Sequence, residues 1–191
     1  MTRPRLIVGG VVAFAAIVLG WLLFVTLPKR YGANPTKTVS AAPAAAPAPT
    51  GRKIKARLFY VAEDGQHLAS VEREVAYGEG AAAQAREIVA AQVAAAAEPL
   101  VSAVPAGTTV RALYITDRGD AYVDLSREVS TAHPGGTTTE LLTVYALVDS
   151  LTVNLPAVRA VQILVDGKEQ DTLAGHVDLH RPLEKNLDFV Q

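Results

Sequence analysis

The feature that most constrains this chain is a run of 22 residues, Leu6 to Leu27, that carries no charge. As a helix it would extend about 33 Å at ~1.5 Å per residue, enough to cross a hydrocarbon core of ~30 Å. Trp21 sits near one end, where an aromatic anchor is favoured. Arg3 and Arg5 flank one side, and Lys29 and Arg30 the other. A cleaved signal sequence has an apolar region of ~7–15 residues, so the length favours an uncleaved transmembrane helix. The basic flanks are similar on both sides, and charge alone barely sets the orientation.

The next stretch cannot fold by itself. Residues 28–51 hold Pro43, Pro47 and Pro49 among alanines. Proline there forbids a stable helix and favours extended polyproline-like chain, and the segment has little apolar bulk to bury. The expected organisation is a basic tail over 1–5, a membrane helix over 6–27, a Pro/Ala-rich linker over 28–51, a folded domain over 52–183 and a tail over 184–191.

Charge separates these parts. Before Gly51 there are five basic residues and no acid; after it come 13 basic against 19 acidic residues, a balance of −6. An acidic domain has no electrostatic footprint for nucleic acid. The chain has no cysteine, which removes disulfides, thiolate metal sites, thiol nucleophiles and a lipidated N-terminal Cys.

Within the domain, Lys53–Ala62 alternates as a strand, Asp64-Gly65 signals a turn, and His67–Ala76 reads as the returning strand. Gly80 to Ala97 has helical periodicity, with Ala85, Ile88, Val89, Val93 and Ala96 on one face. Thr109–Thr116 and Ala121–Leu125 suggest a second hairpin. Thr137 to Leu155 is the strongest helix: Leu141, Val144, Tyr145, Val148, Leu151 and Leu155 form one stripe, and Thr137 with Glu140 fits a capping box. Val158–Val165 and Lys168–Leu173 flank Asp166-Gly167, the clearest hairpin signal in the chain. The fold class expected is α+β: a two-layer sandwich with a mostly antiparallel sheet of three hairpins and two helices on one face.

The second half of the domain resembles a known family. Tyr122-Val123-Asp124-Leu125-Ser126, Gly135-Gly136, Glu140, Leu142 through Val148, Leu151-Thr152, Pro156 and Val161 to Lys168 carry the resemblance, together with Thr172-Leu173 and Gly175 to Leu183. This pattern is similar to the GerMN domain, the sporulation and spore germination domain of bacterial envelope proteins. It is dense from about 108 to 183 and generic over 52–97. The resemblance implies a fold like the ring-building motifs of secretion-type assemblies, an extracytoplasmic location at the cell membrane, and a role in binding or assembly. It supplies no catalytic residues. One domain rather than a tandem pair, and a membrane helix rather than a lipidated Cys, set this chain apart from common arrangements.

The loop holding Asp124, Ser126, Gly135, Gly136 and Glu140 is the expected ligand or partner site. Glycines before a helix can admit an anion, but Thr137 and Glu140 would already satisfy those amides, and Asp124 is placed to cap backbone amides. His176, Asp178 and His180 alternate and are the metal-ligating candidates. On a straight strand, i and i+4 lie about 13 Å apart at ~3.3 Å per residue, so they would reach one ion only across a bend. Ser126 and His133 lack the strained elbow of a serine hydrolase. The expectation is therefore no catalysis and no cofactor, with a protein partner or a second copy in the envelope. A sensor of small molecules or wall fragments, and a metal-dependent hydrolase, are the alternatives.

Overall fold

The computed structural model describes residues 51–191. The membrane helix expected at 6–27 and nearly all of the linker lie outside these residues. Among the described residues no helix is long and apolar enough to cross a membrane.

The domain is a mixed α+β fold. Its elements run β1 (Lys53–Val61), β2 (Leu68–Ala76), α1 (Ala81–Val93), β3 (Val101–Ser102), β4 (Val110–Ile115), β5 (Asp120–Leu125), α2 (Glu128–Thr131), α3 (Thr137–Asn154), β6 (Ala160–Val165), β7 (Lys168–Glu169), β8 (Leu183–Glu184) and a 3-10 turn at Leu187–Phe189. The strands form two sheets, not the single layer expected. One has the order β2-β1-β3; the other is β4-β5-β6-β7, with β8 also pairing β6.

The first two hairpins form as the sequence implies. β1 and β2 pair antiparallel from Lys53↔Ala76 to Val61↔Leu68, and β4 pairs β5 antiparallel. The strand pairings are mostly antiparallel, as expected, with one exception at the centre of the second sheet, where β5 and β6 run parallel. A parallel pair needs a crossover connection, usually helical, and α3 lies in that connection.

The two sheets stay separate because the inner edge of β1 is occupied by side chains. The Gln92 amide, fully buried on α1, accepts from the Phe59 N–H at 2.9 Å and donates to the Phe59 carbonyl at 2.6 Å. The Asn154 amide does the same for Arg57, at 2.8 and 2.7 Å. Each amide imitates one rung of a neighbouring strand. With β3 pairing Tyr60 and Val61, the two amides satisfy the rest of that edge and close it to a longer strand.

Helix α3 is also not the one-sided helix its stripe implies. Leu142, Val144, Ala146, Leu147, Val148 and Leu151 are buried, and so are Glu140, Thr143, Asp149 and Ser150. Leu141 and Tyr145 are half-buried and pack on the core from its margin. Burial of each large aliphatic side chain contributes about 1.5–3 kcal/mol, which makes α3 the centre of the core. Helix α1 ends at Val93 rather than Ala97. Gln92 pins its last turn to Phe59, and Ala94 turns to extended backbone.

The last hairpin is shorter than its pattern. Asp166 (φ 50°) and Gly167 (φ 76°) both take left-handed backbone, as a two-residue primed turn requires. β7 nevertheless stops at Glu169 instead of Leu173, because the amides of Leu173 and Ala174 are taken by Glu140.

Replacing Gln92 by Leu should leave the Phe59 N–H and C=O buried without partners. A loss of about 2–4 kcal/mol is expected for two orphaned backbone groups, measured by urea unfolding of the purified chain.

Candidate functional site

The polar residues expected to form a site each turn out to be engaged in holding the fold. Asp124, at the end of β5, is 7% exposed. Its Oδ1 accepts from the Gly167 N–H at 2.7 Å and its Oδ2 from Arg111 Nε at 3.2 Å. Arg111 and Arg127 also grip the two oxygens of Asp166 at 3.2 and 3.1 Å. Asp124 thus does cap a backbone amide, as its position suggests, and fastens the β6–β7 turn to β4. Ser126 Oγ accepts from the Thr109 N–H at 3.0 Å.

Ser126 and His133 do not meet through hydrogen bonds. His133 Nδ1 accepts from the Gly135 N–H at 3.0 Å, and its Nε2 lies 3.1 Å from Thr143 Oγ1. The Thr143 hydroxyl donates onward to the Ala103 carbonyl at 2.6 Å. This chain of donors assigns His133 the neutral tautomer with its proton on Nε2. Burial lowers its pKa in the same sense, against the pull of the Glu140 charge.

The capping box gives way to something stronger. Gly136, with φ 91°, is the N-cap of α3 and no side chain caps it. Glu140 turns into the domain and is fully buried. Its Oε1 accepts from the N–H groups of Leu173 (2.8 Å) and Ala174 (2.9 Å). Its Oε2 accepts from the His176 N–H (2.9 Å) and lies 3.2 Å from His176 Nδ1. Burial pushes this carboxyl up, but the amides of Ala174, Leu173, Val177 and His176 outweigh burial and hold it below the ordinary glutamate value. Several amides together outcompete the single N–H a capping box would offer.

The metal candidates part company for the same reason. Residues 176–180 lie in no strand, so the alternation that would align them is absent. His176 faces Glu140, while His180 bonds Asp178 through Nδ1 (2.7 Å) and Asp171 through Nε2 (3.0 Å). The Asp178 hydrogen bond, with the charges of Asp171 and Asp178, raises the His180 pKa. Among the described residues no three His, Cys, Asp or Glu side chains converge as a metal cage.

A feature the sequence does not announce lies beside this network. An open cleft of about 670 Å³ is bounded by Val61 at the end of β1, Val93 at the end of α1, Leu100 and Val104 around β3, and Pro134 and Leu142 at the start of α3. Its walls are mostly apolar, with Ser102 and Thr139 among them. Val101, on the two-residue strand β3, also lines it and is 59% exposed. Asp124, Ser126, Gly135, Gly136 and Glu140 do not line it. Residues 100–107 form one side and the rest come from around β1, the end of α1 and the start of α3, so no single local motif could have revealed it.

Residues 57–171 match the family model described as Germane, sporulation and spore germination. The chain belongs to this family. Solved structures with a Germane-like fold include the first GerMN domain of the sporulation protein GerM from Bacillus subtilis. It is 17% identical with a TM-score of 0.58, over 69% of this chain and 97% of that one. The tandem GerMN domains of the same protein align at 17% identity and a TM-score of 0.54, over 70% of this chain and 46% of theirs. A Clostridium perfringens protein described as a lipoprotein aligns at 23% identity and a TM-score of 0.50, over 70% of this chain and 88% of its own. No curated protein matches this chain.

In this Germane domain Glu140 is the residue with most to lose. Its depressed pKa means it supports the fold fully above the ordinary glutamate value, and that support is lost as pH falls through the lower folded value. Glu140→Gln should cost roughly 2–3 kcal/mol, because an amide cannot accept at both ends. Thermal melts from pH 3 to 7 should show the variant less sensitive to acid than the parent.

Proposed function

We propose that this Germane protein is a membrane-anchored binding or assembly module of the bacterial cell envelope, with its domain outside the cytoplasm and no catalytic role. The observation that carries the reading is the cleft. It is mostly apolar and open, and exposed Val101 lies along it on a two-residue edge strand. Apolar surface of this kind is a recurrent mark of a contact site. The polar candidates, by contrast, are committed to backbone amides and ion pairs. The apolar run at 6–27, the basic residues around it and the C. perfringens lipoprotein of similar fold support attachment to a membrane.

A partner protein, or a second copy, is the occupant this reading favours. β3 pairs β1 on one side only, and strand addition at such an edge is a common recognition mode. The second reading is a sensor of a small molecule or wall fragment. The cleft volume, within the ~300–1,000 Å³ usual for small-ligand sites, favours it.

Two measurements test the proposal on the full chain. A photoreactive amino acid at position 101 should give a discrete cross-linked product in cells, and one at exposed Glu169 should not. Equal labelling from both positions would count against a cleft contact. Removing residues 6–27 should move the protein from the membrane pellet to the supernatant after alkaline extraction. An unchanged pellet would exclude that segment as the anchor.

A further inference from the structure

The last residues of the chain form a strap. After β8, Asn186 to Gln191 run past α3 and end against β2. The Asn186 N–H donates to Asp149 Oδ1 at 3.0 Å. Phe189 lies against Tyr145 with ring centroids 5.3 Å apart. Phe189 and Val190 pack on a cluster of Phe59, Leu68, Ala103, Leu142 and Ala146 that is separate from the main core. Val190 bridges to Leu68, and the Gln191 N–H donates to the Leu68 carbonyl at 2.9 Å.

The strap is held at its start by an unusual group. Asp149 is fully buried, and its Oδ2 has no hydrogen-bond partner among the described residues. A buried ionised carboxylate with one hydrogen bond is costly. The same carboxyl protonated removes most of that cost. Releasing the strap would let water reach the group and remove the cost in another way.

We propose that the C-terminal strap is a proton-set latch: it closes over the Phe59–Leu68 cluster when Asp149 is protonated and loosens when Asp149 ionises. This inference does not rest on the envelope-binding role. Ala103 and Leu142 belong both to the cluster under the strap and to the wall of the cleft, so the latch and the cleft share a boundary.

Burial pushes the Asp149 carboxyl up to about 6, against the Asn186 hydrogen bond and the charge of Lys185, which both pull it down. Lys185 is the charged group that acts on it. Glu184 and Asp188, on the same segment, are exposed. At the far end of the strap Gln191 Nε2 faces Asp64 Oδ2 (2.8 Å) and His67 Nδ1 (2.9 Å). Amides of the turn, Gln66 first, and the His67 side chain hold Asp64 at about 2, so it stays ionised throughout. Because the closed state has the higher Asp149 pKa, closure takes up protons. It is strongest at low pH and weakens as pH rises through about 6.

The test is hydrogen–deuterium exchange on the full chain in detergent, reading the peptide 185–191 as protection relative to free-chain rates. Protection should fall about tenfold between pH 5 and pH 8, from the linkage of a carboxyl that moves between about 4 and about 6. Asp149→Asn should abolish this dependence and His67→Gln should leave it. Protection flat with pH in the parent would overturn the latch. So would a dependence that survives Asp149→Asn, or one that disappears in His67→Gln.

Discussion

A helix buried on almost every side must find partners inside the protein for each polar side chain it carries. Helix α3 carries four whose partners lie far along the chain; three fasten segments with little or no regular structure of their own, and the fourth, Asn154, holds the edge of β1. Glu140 gathers the amides of 173–176. Thr143 bonds the Ala103 carbonyl beside the cleft. Asp149 meets the Asn186 N–H and Asn154 the edge of β1. Irregular backbone cannot be packed against a core unless its own N–H and C=O groups are satisfied. The side chains of α3 supply some of those partners where no strand does, and the short strands of this fold depend on them.

That arrangement explains which parts of the fold are legible in the sequence. Local rules found the β1–β2 and β4–β5 hairpins, the Asp166-Gly167 turn and both long helices, because alternation, turn residues and helical spacing are properties of neighbouring positions. The parallel pairing of β5 with β6 depends on the crossover through α3, and the closing of the β1 edge on Gln92 and Asn154. In sequence these are unremarkable polar residues near helix ends. Glu140 looked like a capping residue because it stands three positions after Thr137. Its true partners are more than 30 residues away, and spacing carries no trace of them. Asp124 at the end of a strand reads as an amide cap, but the amide it takes, that of Gly167, is likewise far away in sequence and spacing does not name it.

The same logic bears on the candidate site. Buried or partly buried carboxylates and histidines draw attention as chemistry, and Glu140, His133 and His176 form such a group here. Their surroundings argue for structure: the carboxylate faces backbone donors, the pKa of His133 is lowered by burial, and His133 hands its hydrogen bond to a threonine. A general base should instead be poised toward a space where a substrate can sit. The cleft described above is mostly apolar, and the Glu140 carboxylate does not line it.

The edges of the sheets point the same way. A protein that works by contact must expose some surface for pairing while closing the rest, since any free edge invites unwanted association. β1 is closed by two amide side chains. The start of β4 is closed by Arg86, which donates to the carbonyls of Val110 and Arg111, and the start of β2 is covered by the C-terminal strap at Leu68. β3 borders the cleft and carries exposed Val101. Its two residues are too few to recruit a strand by backbone bonds alone, so on the proposed reading a partner would also have to fill the cleft. Requiring both contacts is how a short edge can be selective.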